Sequence, residues 1–290
     1  MRIISSYSVL MSVYKAEDPQ YLAESIHSIM TQTIPPQEFV LVCDGPLTAD
    51  LENVIKMYTR EFPNLIHIIR LKENHGLGIA LNEGLHACQN EWIVRMDSDD
   101  IAFANRCEKQ IKFAQENGLD VSSAWVKEFG KDRRVTGLRK VPGSHQEIET
   151  YAHKRNPMNH PCVVYRKSQL IRVGGYRDFP KFEDYDLWVR LLQNGAKMGN
   201  IQEPLLYMRA GKELYQRRAG LTYCRDILRF WQEMRRIGFS NGNECVFNII
   251  SRCAVSLLPN KVRQLIYKRK LRSQDGQSEE IEAISLTSEA

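Results

Sequence analysis

Residues 92–100 read Trp-Ile-Val-Arg-Met-Asp-Ser-Asp-Asp, an apolar strand-like stretch that ends in three carboxylates within four residues. Carboxylates at this spacing repel one another, and burying them without a partner is costly. A divalent cation such as Mg²⁺ or Mn²⁺ would relieve the repulsion, because hard cations prefer oxygen ligands and often share them with phosphates. The alternative is a solvated acidic turn that caps the next helix. The rest of the chain favours the cation.

Strand-like and helix-like patterns alternate before this stretch. Buried strands are predicted at 7–14, 39–43 and 65–71, and helices at about 18–32, 49–62 and 78–89. Alternation at these lengths predicts βαβ units, in which helices cover both faces of a parallel sheet. Ligands of such sheets usually bind at the carboxyl ends of the strands, which is where the acids at 97–100 lie.

After the acids the pattern continues and then weakens. A helix at 105–117 and a strand at 121–129 are predicted, followed by a flexible loop over 130–161 with a short helix near 146–153. The remaining elements are a strand at 162–165, a helix at 183–194 and a short strand at 204–208. Beyond them come a helix at 217–237, an apolar segment at 247–258 and a basic amphipathic run at 261–272.

Composition excludes several classes of protein. The chain has 290 residues, 43% of them hydrophobic and 26% charged, as is ordinary for a globular protein. Its seven cysteines form no Cys-x-x-Cys pair, which argues against a disulfide framework or a zinc site and fits a reducing cytosol. No signal-peptide core precedes the first strand, and no uncharged apolar run reaches the roughly 18 residues that span a bilayer. The net charge of +5 is accompanied by no nucleic-acid-binding motif.

Four other residues are candidates for chemistry, each with a structural alternative. Asp44 follows the second predicted strand, where it is either a turn residue or an acceptor for a nucleotide base. Glu183 and Asp184 begin a predicted helix, where acids either cap the helix or serve as a general base. His160 precedes a strand and is either a structural residue or part of a binding site.

Glycines at 76 and 78 invite comparison with a dinucleotide-binding loop. That fingerprint needs a third glycine at residue 81, which is Leu81, and it belongs after the first strand of the sheet rather than the third. The glycines are better explained by a tight entry into a helix.

Segments in order along the chain resemble motifs of the inverting family 2 glycosyltransferases with the GT-A fold. After an opening strand at 9–14, they are Ser-Ile-His-Ser-Ile-Met-Thr-Gln-Thr at 25–33, Val-Cys-Asp-Gly-Pro at 42–46, Asn-His-Gly-Leu-Gly-Ile-Ala-Leu-Asn-Glu-Gly at 74–84, Arg-Met-Asp-Ser-Asp-Asp at 95–100 and Glu-Asp-Tyr-Asp-Leu-Trp at 183–188. Two residues depart from the family pattern: Cys43 replaces the first acid of an Asp-Asp-Gly-Ser motif, and Ala104 stands where proline is usual.

The resemblance implies an α/β fold, a GT-A (Rossmann-like) mixed and mainly parallel sheet flanked by helices, with a basic helical appendage at the C-terminus. Residues 1–210 would bind the nucleotide sugar and carry catalysis. Residues 211–272 would be a helical, basic and amphipathic region that associates with a membrane, and residues 273–290 a disordered tail.

The resemblance also assigns roles to the donor-binding residues. Asp44 would hold the nucleotide base, Tyr14 would line the base pocket, and Asp97 would face the ribose or the sugar. Arg95 and His160 are further candidates for binding the nucleotide sugar.

The metal and the catalytic base follow from the same resemblance. Asp99, assisted by Asp100, would bind Mn²⁺ or Mg²⁺, and the metal would bridge the two phosphates of the donor. Asp184 would be the catalytic base, with Glu183 beside it.

The implied activity is transfer of a hexose, from UDP-galactose or UDP-glucose, to a lipid-linked saccharide such as N-acetylglucosamine-diphospho-polyprenol. Sequence after residue 257 resembles the tails of bacterial enzymes that build O-antigen, capsule or exopolysaccharide. We therefore expect a cytoplasmic enzyme bound peripherally to the inner face of the bacterial inner membrane. Alternatively, the C-terminal helices only pack on the catalytic domain.

Competing functions remain to be weighed. A non-catalytic nucleotide-sugar-binding or scaffold protein could share the fold, although every acid assigned to the chemistry is retained. A sugar nucleotidyltransferase needs a Gly-rich, Arg-containing loop after the first strand, where this chain has residues 14–19, Tyr-Lys-Ala-Glu-Asp-Pro. A processive synthase would carry membrane spans and a Gln-x-x-Arg-Trp motif, and this chain has neither.

Overall fold

A computed structural model describes residues 4–210, 219–259, 262–263 and 279–281. Its first half alternates strands and helices, as the apolar pattern predicts. The elements are β1 (Tyr7–Val13), α1 (Pro19–Met30), β2 (Glu38–Cys43), α2 (Ala49–Glu61), β3 (Ile66–Arg70), α3 (Leu77–Ala87) and β4 (Trp92–Asp97).

The second half is less regular. Its elements are β5 (Ile101–Ala102), α4 (Arg106–Glu116), β6 (Val121–Phe129), β7 (Val135–Arg139), α5 (His145–Ala152), β8 (Val164–Arg166), α6 (Lys167–Arg172), α7 (Glu183–Gln193), β9 (Met198–Arg209), α8 (Gly220–Arg236) and α9 (Gly242–Leu257). A 3-10 turn over His160–Cys162 precedes β8.

Three predictions of secondary structure need correction. The segment predicted as a loop over 130–161 contains β7 as well as α5, because β7 forms a hairpin with β6. The strand predicted at 204–208 begins six residues earlier, at Met198, because residues 198–201 pair with the start of β6. The predicted strand at 162–165 is shorter, since its first residues form the 3-10 turn. The first two errors lie where pairing with β6 outweighs local pattern.

The strands form one mixed sheet in the order β3-β2-β1-β4-β8-β6-β9-β5, with β7 beside β6, within the described ranges. Parallel ladders join β1 to β2, β1 to β4, β2 to β3 and β6 to β9, and each spans five to nine residue pairs. The antiparallel ladders span two to four. The predicted mixed and mainly parallel sheet is confirmed.

Apolar clusters cover both faces of the sheet. One packs the helices α1, α2 and α4 against it, and the other packs α3 and α7. Helix α3 packs closely on the sheet at Gly84, where a Cβ atom would lie 2.2 Å from Leu10 Cδ1 and 2.8 Å from Val42 Cγ2. Only glycine fits there, which explains the end of the motif at 74–84.

A third cluster joins α8 and α9 to the back of α7. Phe230 and Trp231 of α8 pack against Tyr185 and Val189 of α7, with the rings of Tyr185 and Phe230 4.7 Å apart. This aromatic contact holds the helical pair α8–α9 on the sheet domain.

Candidate active site

Parallel pairing brings the predicted donor-site residues to one edge of the sheet. Val13 of β1 is in register with Cys43 of β2, and Ser12 with Asp97 of β4. Tyr14, Asp44 and Asp97 therefore end or follow three adjacent strands at the same edge. Tyr14 is 42% exposed there, as a residue that lines an open pocket should be.

Three carboxylates form a cluster at this edge. Asp97, Asp99 and Asp100 each offer an oxygen, and these oxygens lie within 4.8 Å of one another. Burial, followed by the charges of Asp97 and Glu17, raises the pKa of Asp99 to about 7. Burial and the charges of Asp99 and Asp97 raise the pKa of Asp100 well above its ordinary value. The cluster is therefore short of positive charge.

The donor set of this cluster fits a hard divalent cation. Asp100 is 1% exposed; its Oδ1 accepts a hydrogen bond from Arg209 N at 2.8 Å, whereas its buried Oδ2 has no hydrogen-bond partner. A buried carboxylate oxygen without a donor is unusual, and a metal ion is one of the groups that explain it. Mg²⁺ and Mn²⁺ suit an all-carboxylate set of this kind.

A buried arginine orients Asp97. Both terminal nitrogens of Arg95 donate to the Asp97 carboxylate, with Nη1 2.7 Å from Oδ2. Ser25 Oγ donates to the backbone oxygen of Asp97 at 2.7 Å. Arg95 is 1% exposed, so the bidentate pair fixes the Asp97 side chain while leaving it half-buried at the sheet edge.

Asp44 holds the loop that leads into α3. Its Oδ1 accepts from His75 N at 2.8 Å, and its Oδ2 accepts from Gly76 N and from Asn74 Nδ2, both at 2.9 Å. The carboxylate thus organises the start of the 74–84 motif, a role that the sequence alone did not suggest. Its contact with a nucleotide base stays a prediction.

A second acidic pair lies at the start of α7. Asp184 Oδ2 accepts from Asn156 Nδ2 at 2.5 Å, and its Oδ1 accepts from Tyr185 N at 2.8 Å. Burial raises the pKa of Asp184, and the hydrogen bond from Asn156 opposes that change. Burial and the neighbouring Asp184 charge raise the pKa of Glu183 to about 7. Both acids are therefore stronger bases than exposed carboxylates.

The Arg95 charge reaches both acidic groups. It favours their ionised forms, and so partly offsets the rise that burial causes in the pKa of Glu183, Asp184 and Asp100. Because such effects decay with distance, the buried Arg95 charge acts on both the predicted metal site and the predicted base.

His160 lies against Tyr176 and Trp188. Its Nε2 is 2.9 Å from the Tyr176 hydroxyl, and its ring meets Trp188 edge-on at 6.0 Å. Burial, with the charges of Arg95 and Arg139, holds the pKa of His160 well below its ordinary value. The imidazole is therefore neutral at physiological pH.

Sequence reasoning missed four residues of this region: Glu17, Asn156, Tyr176 and Arg209. Arg209 could have been noticed in the sequence, because it directly follows the predicted strand at 204–208. The acids at 97–100 follow their own strand in the same way. Glu17 accepts a hydrogen bond from Ser98 inside the acidic motif. Asn156 lies in the segment predicted as a loop and carried no signal.

A mixed α/β sheet with acids at the ends of its parallel strands is typical of GT-A glycosyltransferases, and comparison with known proteins agrees. The family model "Glycosyl transferase family 2" matches residues 8–177, which is more than half of the chain. The chain belongs to that family.

Curated relatives cover nearly the whole chain. UDP-Gal:alpha-D-GlcNAc-diphosphoundecaprenol beta-1,3-galactosyltransferase of Escherichia coli is 38% identical over 92% of this chain and 96% of the relative. The amylovoran biosynthesis glycosyltransferase AmsE of Erwinia amylovora is 35% identical over 91% of this chain and 98% of the relative.

A solved structure shows the same fold. The mannosyltransferase PcManGT of Pyrobaculum calidifontis, in complex with GDP-Man and Mn²⁺, superposes with a TM-score of 0.61 at 14% identity. The superposition covers 93% of this chain and 76% of the mannosyltransferase. The predicted family and the predicted fold are both confirmed. Among the described residues, no helix has the length and apolarity needed to cross a bilayer.

Proposed function

We propose that this enzyme moves a hexose, with inversion, from UDP-galactose or UDP-glucose to a lipid-linked saccharide such as N-acetylglucosamine-diphospho-polyprenol, in surface polysaccharide synthesis. The observation that carries the proposal is the clustering of Asp97, Asp99 and Asp100 at the sheet edge, together with a second acidic pair, Glu183 and Asp184, in the first turn of α7. One group suits a metal-bound diphosphate, and the other suits a sugar hydroxyl. The Escherichia coli and Erwinia amylovora relatives support the donor, the acceptor and the pathway class.

The donor would bind along the carboxyl edge of β1, β2 and β4. Tyr14 and Asp44 are assigned to the base, and Asp97 to the ribose or the sugar. Asp99 and Asp100 would hold Mn²⁺ or Mg²⁺, which when bound neutralises charge on the diphosphate leaving group. The clustered oxygens and the unpartnered Asp100 Oδ2 support this assignment.

Asp184 is assigned the role of general base. The acceptor hydroxyl gives its proton to the Asp184 carboxylate while its oxygen bonds to the anomeric carbon, and the bond from that carbon to the diphosphate oxygen breaks. A single displacement inverts the anomeric carbon, so an α-linked donor gives a β-linked product. Hydrogen bonds from Asn156 and Tyr185 N orient the carboxylate for this transfer.

Glu183, Arg95 and His160 are assigned to the same active site. Glu183 lies beside the base, and its buried Oε2 has no hydrogen-bond partner, which suits a contact with a sugar hydroxyl. Arg95 contacts the donor side through Asp97, and the neutral His160 is a further candidate for binding the sugar.

The helical pair α8–α9 supports a membrane-facing role for residues 211–272. On α9, the side towards the protein carries the buried Asn248 and Ser256, whereas the outward side is apolar. The exposed apolar side chains of the two helices are Leu221, Leu228, Val246, Phe247, Ile250 and Leu257. Arg225 and Arg229 are exposed on α8 as well.

An apolar face beside arginines suits an anionic bilayer surface. It would place the domain of residues 1–210 on the cytoplasmic face of the inner membrane, where a polyprenyl-linked acceptor lies. The basic run at 261–272 is outside the described residues except for 262–263. The tail predicted as disordered at 273–290 is outside them except for 279–281.

The proposal is tested by a donor screen. Purified protein receives a panel of nucleotide sugars with Mn²⁺ or EDTA and a synthetic N-acetylglucosamine-diphospholipid, and products are read by mass spectrometry. We expect Mn²⁺-dependent addition of one hexose in β linkage. Neither transfer nor donor hydrolysis, with nucleotide-sugar binding retained, would instead favour the non-catalytic alternative.

A further inference from the structure

Residues 279–281 lie along the hairpin formed by β6 and β7. Val135 N donates to Glu279 O, and Ile281 N donates to Arg133 O, both at 3.0 Å. These bonds form an antiparallel bridge between Arg134 and Glu280. A piece of chain that follows α9 by more than twenty residues therefore returns to the sheet domain.

Side chains anchor this segment next to the acidic cluster. Ile281 is 8% exposed and packs with Phe129, Val135 and Ile101, and Ile101 directly follows Asp100 in the chain. Glu279 pairs with Lys127, and its Oε1 accepts from the Tyr207 hydroxyl at 2.5 Å. Apolar packing and an ion pair thus fix the segment on both sides.

A buried acid continues the connection from the hairpin to the cluster. Glu24 of α1 is 1% exposed and accepts from Arg133 Nη1 at 2.7 Å and from Arg209 Nη2 at 3.0 Å. Arg133 Nε donates to Ile281 O at 3.1 Å. The Glu24 carboxylate therefore links Arg133, which binds Ile281, to Arg209, which contacts the acidic cluster.

Arg209 completes the connection. Its backbone N donates to Asp100 Oδ1 at 2.8 Å, and its Nε donates to Asp99 O at 2.9 Å. Its guanidinium lies over the ring of Tyr21, 3.5 Å from the ring centroid, and 4.5 Å from that of Phe129. These contacts hold Arg209 against both Asp99 and Asp100.

Arg133 has an unusual backbone conformation, which its contacts with Ile281 and Glu24 hold in place. Its φ is +59°, in the left-handed region that non-glycine residues rarely occupy. The bonds from Ile281 to its backbone and side chain, together with the Glu24 pair, hold it there. Removing residues 279–281 would free Arg133 to relax towards ordinary backbone angles.

We propose that Glu279–Ile281 forms part of the active-site framework, and that Arg133, Glu24 and Arg209 are positioning residues for the metal-binding acids. The segment acts through Arg133 and Glu24, and through the packing of Ile281 on Ile101. This inference rests on the proposed metal role of Asp99 and Asp100.

Two truncated chains test it, one ending at Ser278 and one ending at Ile281. Calorimetry measures UDP binding with and without Mn²⁺, and kinetics gives the Mn²⁺ concentration for half-maximal transfer. Outer contacts to metal ligands are typically worth 10- to 100-fold in metal affinity, so we expect the shorter chain to need about tenfold more Mn²⁺. Its kcat at saturating Mn²⁺ and its UDP affinity without metal should change less than threefold, and the chain ending at Ile281 should match the full chain.

Point variants separate positioning from loss of structure. Ile281→Asp should reproduce the Mn²⁺ defect, whereas Glu280→Gln, a charge change at an exposed neighbour, should not. Glu24→Gln should raise the Mn²⁺ requirement in the full chain as well. Equal Mn²⁺ requirements in the two truncated chains would overturn the inference. So would a loss of UDP affinity in the shorter chain that is equally large with and without Mn²⁺. If the full chain binds UDP equally with and without Mn²⁺, the metal assignment itself is wrong. If Mn²⁺ strengthens UDP binding but the truncation has no effect, only the positioning role of residues 279–281 is wrong.

Discussion

Replacement of Asp184 by asparagine is the sharpest test of the chemistry. Asparagine keeps the size of the side chain but cannot accept the proton of the acceptor hydroxyl. General-base catalysis typically contributes 10²- to 10⁴-fold, which corresponds to about 3–5 kcal/mol of activation free energy. We expect kcat to fall by a factor in that range, while the KM for the donor changes less than threefold, because the donor is assigned to the other acidic group.

The fold of this variant must be checked because Asp184 accepts two hydrogen bonds. The amide has one oxygen, so either Asn156 or Tyr185 N loses its acceptor, at a cost of roughly 1–3 kcal/mol. Asn156 is not free to flip, since its own Oδ1 accepts from Met158 N. Loss of a buried carboxylate whose pKa is raised offsets part of this cost. We therefore expect a folded protein of slightly lower stability.

The assay is transfer to the synthetic acceptor over a range of pH. In the parent enzyme the rate rises as Asp184 loses its proton, and burial shifts that limb above the ordinary range of an aspartate. In the Asp184→Asn variant the rate should be low at every pH, and its rise with pH should be absent. Asp178→Asn is the matched control, because Asp178 is exposed and its ion pair within the described ranges is with the exposed Arg229, at 3.9 Å. A folded Asp184→Asn enzyme within tenfold of the parent kcat would refute the base assignment.

Four further results are expected. Asp99→Asn should abolish the Mn²⁺-dependent gain in UDP affinity and cut transfer by roughly 100-fold, and calorimetry with and without Mn²⁺ checks this. Glu183→Gln should raise the free energy of unfolding by about 3 kcal/mol at pH 8, measured in urea, because the folded-state pKa near 7 lies above the ordinary value of 4.5. The parent's carboxyl is stable in its protonated form and loses that stability as pH rises from 4.5 to 7, so the difference should vanish below pH 4.5. Gly84→Ala should cost about 1–2 kcal/mol against Leu10 and Val42, and an unchanged urea midpoint would contradict the packing. Phe247→Asp combined with Ile250→Asp should weaken sedimentation with phosphatidylglycerol vesicles at least tenfold while sparing transfer to a water-soluble acceptor; equal sedimentation would remove α9 from the membrane surface.

Local pattern predicted the elements that lie before the acids. Each strand from β1 to β4 and each helix from α1 to α3 was placed within about two residues, because burial on a repeating strand or helix face leaves a period in the sequence. The start of α1 at Pro19 follows from the Asp18 cap, whose side chain accepts from Gln20 N at 2.8 Å. The same reasoning missed β7 and the first half of β9, where polar residues are ordered by their neighbours.

The residues predicted for the site could be chosen from the sequence, but the contacts that hold them could not. Acids at strand ends and at the start of α7 stand out as residue types, since each sits at a predictable point of its own element. Asn156 and Glu24 carry no such mark. Their importance comes from single contacts, to Asp184 in one case and to Arg133 and Arg209 in the other.

By itself, the sequence determined the class of fold, the family and the acids at 97–100 and 183–184, because these depend on short-range periodicity and on residue type. Only the tertiary structure decided the strand order, the capture of the 74–76 loop by Asp44 and the ion pairs of Glu24. Glu24 and Arg209 are 185 residues apart in the chain, and nothing local to either predicts that they meet. Contacts of that kind arise when the whole sheet closes around buried charges, which must find partners wherever the fold brings them.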